Sequence, residues 1–213
     1  MSYINNVTGF ILQGSLITMK LYVVTIIAAI PLGVLFALGK ISKIKWLKIL
    51  LQIYTWIFRG TPLLLQLFFT YYALPVLGIR LGQFEAASIT FIMNYAAYFT
   101  EIFRGGIQSI DQGQYEAARA LGMNYCQTME KIILPQAIKR VLPATSNEAI
   151  TLIKDTALVA AIGMGDILRA AKEVLTRDFK ITSFVIAGII YLLLTSIIVM
   201  MFRKLERKYS IYE

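Results

Sequence analysis

Residues 116–135 read EAARALGMNYCQTMEKIILP, the longest polar run between strongly apolar segments. The spacing predicts a helix–turn–helix. Asp111 is the expected N-cap of the first helix, with Gln114 at the capping-box position. Alanines at 117, 118 and 120 follow, and alanine is the strongest helix former. Leu121 ends this helix, and Gly122 stands where a left-handed residue is wanted. Asn124, with Gln127 three residues on, caps a second helix. In that helix Tyr125, Met129, Ile132 and Ile133 share one face, and Leu134-Pro135 is expected to end or kink it. The first helix is only about ten residues, too short to stand alone in water, so it needs a partner surface.

The segments on either side show what kind of chain carries this hairpin. Of its 213 residues, 58% are hydrophobic, above the near-half share of soluble domains. The excess is clustered into long apolar runs, which points to an all-α integral membrane protein. The net charge of +9 does not indicate nucleic acid, because Lys and Arg sit in short runs beside apolar segments. With no histidine and one cysteine, Cys126, the chain offers no disulfide and no His/Cys metal site. Met1 to Asn6 has no basic region, so a cleaved signal peptide is not expected.

One domain over 1–213 is expected, with spans at about 14–39, 49–79, 84–103, 142–163 and 181–202 and the hairpin at 111–135. Residues 7–19 read as an interfacial lead-in or as a stretch continuous with the first span, in which Pro31 and Gly33 suggest a kink. Residues 49–79 carry one charge, Arg59, and are too long for one straight span. Thr61-Pro62 divides them, with Thr as N-cap and Pro at the first helical position. Gly105-Gly106 reads as a flexible exit from the third span.

Five spans place the termini on opposite sides. One side receives four lysines in 40–48, five basic residues in 104–141 and four in 203–213. The other receives Arg80, Arg169, Lys172, Arg177 and Lys180. The basic-rich side is cytoplasmic, so the hairpin and the C-terminus are expected inside and the N-terminus outside.

Ionisable residues within spans are costly and each is a functional candidate. Asn94, Tyr98 and Glu101 form one polar stripe on the third span, and Glu148, Thr151 and Asp155 form a second on the fourth. The plainer reading is that these groups hold helices together or pair with Lys154 and Arg59, and it is preferred for Glu101 and Asp155. Glu148 is the better substrate ligand. Thr61 is a further candidate, because a helix N-terminus there would offer N–H donors to a substrate carboxylate. The plainer reading of Thr61-Pro62 is a simple kink.

The pattern also resembles a known family. Glu116-Ala117-Ala118, Gly122, Ile132 and Leu134-Pro135 match the EAA loop of the membrane subunits of ABC importers at each defined position. The flanks are similar to those of the polar amino-acid permeases of the histidine, glutamine and arginine type. They are Arg59-Gly60-Thr61-Pro62-Leu63-Leu64-Leu65-Gln66, Ala97-Tyr98 with Glu101, Arg104-Gly105-Gly106-Ile107, Gly113-Gln114, Pro135-Gln136-Ala137 and Lys154-Asp155-Thr156. Ala157 stands where the last motif has Ser. The competing reading is an ordinary amphipathic surface hairpin, and the ordered flanks argue against it.

The resemblance implies the transmembrane fold of a type I ABC importer in a bacterial-type inner membrane. It implies a second permease subunit, identical or homologous, two ATPase subunits and an extracytoplasmic amino-acid-binding protein. Coupling to the ATPase would run through Glu116, Ala117, Ala118, Arg119, Gly122, Ile132, Leu134 and Pro135. The chain has no phosphate-binding loop, so it is expected to be no enzyme and to hold no cofactor, ATP and Mg belonging to the ATPase. The two acidic stripes favour basic amino acids, arginine, histidine or lysine. The alternatives are a glutamine or other polar amino-acid importer and an ion-coupled secondary transporter using the same carboxylates. A membrane-embedded enzyme ranks last, since catalytic constellations are scarce.

Overall fold

The computed structural model describes residues 2–209; Met1 and residues 210–213, the ends of the expected single domain, lie outside them. The described residues are all-helical, with no strand. The chain runs α1 Ser2–Ile41, α2 Lys45–Gly60, α3 Leu63–Phe68, α4 Gln83–Gln108, α5 Gln112–Ala120, α6 Tyr125–Thr128, α7 Leu134–Asp155, α8 Ile167–Asp178 and α9 Thr182–Tyr209. By length and composition, α1 over Tyr3–Ile41 and α9 can each cross a membrane. Residues 7–19 are continuous with the first span: α1 runs unbroken through them and through Pro31.

α4 is the central post. Ala87, Phe91, Tyr95, Ala96 and Phe99 on it are buried against Leu21 and Ala29 of α1 and Leu152 and Ile153 of α7. A polar stripe on such a helix is shielded by its neighbours, which allows a span less apolar than α1 or α9. A second cluster joins Val7 and Ile11 of α1, Ile167, Ala171 and Val174 of α8, and Ala187 and Ile190 of α9. At the end of α8 the Tyr3 hydroxyl donates to Asp178 at 2.7 Å. The adjacent Arg177 guanidinium and this hydroxyl hold the Asp178 carboxyl down to about 2.

α2 and the helical run Leu63–Leu77 meet at 104°. The break lies where Thr61 and Pro62 adopt extended backbone, as a residue before proline prefers. Pro62 itself, not Thr61, holds the N-cap position of α3, and no side chain caps it. The Thr61 hydroxyl turns back to donate to the Ile57 carbonyl at 2.8 Å.

Around the hairpin, Asp111 caps α5 by accepting from the Gly113 amide at 2.7 Å, so Gln114 does not complete a capping box. Asn124 and Gln127 do form one, with both bonds at 2.9 Å. Gly122 has φ +76°, the left-handed turn its position requires. Pro135, in contrast, does not end the helix. A π-turn at Met129–Ile133 joins α6 to α7, and the helix continues to Asp155. Pro135 sits at the start of α7, where its missing N–H is tolerated. The Gln136 side-chain amide satisfies the Ile132 carbonyl at 2.9 Å. Nor is Gly105-Gly106 a flexible exit. Both lie inside α4, and Gly106 is buried so closely against α7 that an added Cβ would collide with Val141.

Candidate substrate chamber and coupling hairpin

Three elements converge on a chamber of about 450 Å³. The α2–α3 bend supplies Arg59, Gly60, Thr61, Pro62 and Leu63; α4 supplies Asn94, Tyr95 and Tyr98; α7 supplies Glu148, Thr151 and Asp155. Successive helical turns bring each group round to one face, and the α4–α7 packing turns those faces toward each other.

The chamber wall is held by hydrogen bonds. The Asn94 side-chain amide donates to the Phe58 carbonyl at 2.9 Å and to Gln66 Oε1 at 3.0 Å. Gln66 Nε2 in turn donates to Thr61 Oγ1 at 2.7 Å. Asn94, Gln66 and Thr61 thus brace the bend against α4, and the Thr61 hydroxyl is engaged on both sides. The Tyr95 hydroxyl donates to Asp155 Oδ2 at 2.7 Å. Glu148 and Thr151, half-buried, line the same wall. Lys154 faces outward and does not line the chamber.

Glu101 departs from the stripe that Asn94 and Tyr98 begin. It accepts from Lys40 of α1 and from Arg104, whose Nη2 is 2.7 Å away. Lys40 also donates to Thr55 at 2.8 Å, so this cluster ties α1, α2 and α4 together. It lines a neighbouring cavity of about 460 Å³ that shares Arg59, Gly60 and Tyr98 with the chamber. The structure therefore brings together Thr61, Asn94, Tyr98, Glu148, Thr151 and Asp155, and places Glu101 next door.

Among the lining residues not singled out as candidates from sequence, two, Tyr95 and Arg59, carry polar side chains. Tyr95 lies next to Asn94 on α4 and one turn from Tyr98. Arg59 carried a usable signal, as the one charge in 49–79. Its guanidinium lies over the Tyr98 ring, 5.3 Å from the centroid.

The hairpin forms a second site. Met129, Ile133 and Ala137 are buried against Ile107 and Ile110 at the foot of α4. Arg140 adds bonds to the Ser109 carbonyl and, at 3.1 Å, to its hydroxyl. Tyr125, expected on the same apolar face, is exposed; it precedes the π-turn, which shifts the helical phase by one residue. Ala118 is buried, while Glu116, Ala117, Arg119 and Gly122 are exposed. Ile132 and Leu134 are half-buried and Pro135 is exposed. Glu116 and Arg119, with Tyr115, Ile107 and Ile110, border a cavity of about 610 Å³.

Comparison with known proteins places this arrangement. Residues 29–211 match the model of a family described as the binding-protein-dependent transport system inner membrane component. The chain is 44% identical over 201 residues to the arginine transport system permease protein ArtQ of Bacillus subtilis (strain 168), covering 93% of this chain and 92% of that protein. It is 41% identical, with the same coverage, to GlnP of Rickettsia bellii (strain RML369-C), named as a glutamine transport system permease. Among solved structures, an amino acid ABC transporter with histidines has a chain superposing with TM-score 0.90 at 36% identity, over 97% of both chains. The MetNI methionine ABC transporter shares the fold, with TM-score 0.73 at 20% identity over 94% of both chains.

Proposed function

The chain belongs to the family of binding-protein-dependent transport system inner membrane components and, within it, to the amino-acid ABC permeases; from this premise we propose that it carries basic L-amino acids, arginine, histidine or lysine, into the cytoplasm. The observation that carries this reading is Glu148, a carboxylate on the chamber wall with no ion pair among the described residues. In a site of low dielectric a carboxylate favours a cation far more than it does in water, and the chamber's own cation, Arg59, already acts on the Glu148 charge. A guanidinium can meet it through two parallel N–H···O bonds. Asp155, steadied by Tyr95, adds a second negative group on the same wall.

Transport on this reading is driven from outside the chain. Two copies of an ABC ATPase bind ATP and Mg, and the exposed side of the hairpin, with Glu116, Ala117, Arg119 and Gly122, docks into them. Because α6, the π-turn and α7 are one continuous helix, movement at the hairpin is passed directly to Glu148 and Asp155. A second permease subunit, identical or homologous, completes the pathway, and an extracytoplasmic binding protein delivers the amino acid. The hairpin and C-terminus face the cytoplasm and the N-terminus faces outside.

A second reading, a glutamine importer, is favoured by the relative named for glutamine. The two separate on Glu148→Gln in the reconstituted complex, with uptake of arginine, histidine and glutamine compared. Loss of a charge-assisted pair costs about 1.5–3 kcal/mol against the cations and much less against glutamine. Equal loss for all three would make Glu148 a structural residue, and no loss would remove it from the pathway.

A further inference from the structure

The chamber has an acidic wall and, opposite in charge, one cation. Glu148 and Asp155 come from α7, whereas Arg59 comes from the end of α2, beside the bend. Every α-amino acid presents a carboxylate beside its amine, so two carboxylates alone recognise only one end of it. The other polar groups at the bend are already engaged. The Thr61 hydroxyl is shared between Ile57 and Gln66, and the Asn94 amide between Phe58 and Gln66. Arg59 differs from them. It is exposed, it forms no ion pair within 4 Å among the described residues although its charge acts on Glu148 across the chamber, and its guanidinium rests on the Tyr98 ring.

We propose that Arg59 is the residue that binds the substrate's α-carboxylate, and that Tyr98 holds its guanidinium in place. Arginine's planar fork matches a carboxylate in two parallel bonds, a geometry lysine cannot reproduce. A guanidinium lying on an aromatic face keeps its edge N–H groups free to donate. Arg59 and Tyr98 also line the neighbouring cavity that holds Lys40 and Glu101. The anchored carboxylate is thereby held at the boundary between the two cavities, with the amino acid's side chain turned toward Glu148.

This assignment rests on the basic amino-acid reading above. The test uses the purified permease–ATPase complex without binding protein, and measures binding of radiolabelled arginine and of agmatine, which is arginine without its α-carboxylate. The wild type is expected to bind arginine about tenfold or more tightly than agmatine. Arg59→Gln should lose that preference by weakening arginine alone, and Arg59→Lys should retain part of it. Equal weakening of both ligands, or unchanged preference in Arg59→Gln, would overturn the assignment. Glu148→Gln gives a different pattern, weakening both ligands with arginine still the tighter, so failure of the acidic-wall reading is distinguishable. A wild-type complex that binds neither ligand would overturn both.

Discussion

Lys40 of α1 is ion-paired with Glu101 of α4, and the same ammonium donates to Thr55 of α2 at 2.8 Å. The two side chains are only 9% and 14% exposed. A charge left alone at such a site is costly, whereas removing Lys40 and Glu101 together leaves only Arg104, which is 34% exposed and keeps its bond to Gln108. Glu101→Gln is therefore expected to destabilise the purified complex by about 3 kcal/mol. The double variant Lys40→Met with Glu101→Met should recover most of that loss. Thermal unfolding of the three proteins checks this, and a double variant no better than the single one would contradict it.

Gly106 lets α4 approach Val141 of α7. Valine is stiff at its first side-chain torsion, so it cannot easily yield to a new methyl group. Gly106→Ala is expected to cost about 1–3 kcal/mol by overpacking. Val141→Ala in the same chain should restore much of the stability, a coupling that unfolding of the double variant would detect.

Gly122 presents the reverse situation, with open space around it and a left-handed backbone. Gly122→Val meets no steric neighbour but costs about 1–2 kcal/mol in backbone conformation or abandons the turn. The variant should keep a folded helical bundle while ATPase docking and transport fall. Normal transport with normal substrate-stimulated ATP hydrolysis would show that the turn is dispensable.

Cys126 is exposed in the first turn of α6. It is the only cysteine in the chain, so it reports the side on which the hairpin lies. In the absence of the ATPase, a membrane-impermeant thiol reagent should label inverted vesicles and leave right-side-out vesicles unlabelled. Labelling of intact right-side-out vesicles would reverse the orientation.

What the sequence determined by itself was whatever rests on neighbours along the chain. The capping box at Asn124 and Gln127, the left-handed Gly122 and the break at Thr61-Pro62 were all legible there. Each depends on backbone preferences within about four residues. The polar stripes on α4 and α7 were legible for the same reason, since helical periodicity is local. Tertiary structure decided what those faces meet. Pro135 does not end the helix: a π-turn upstream and the anchoring of Met129, Ile133 and Ala137 on the foot of α4 let the helix run on. Glu101 follows the spacing of Asn94 and Tyr98 but pairs with Lys40, 61 positions away. Arg59 enters the chamber only because α2 and α3 bend by 104° and Asn94 braces that bend against α4. Such pairings are selected by distance in space and by the cost of leaving a charge or amide unpartnered, and neither quantity exists until the helices are packed.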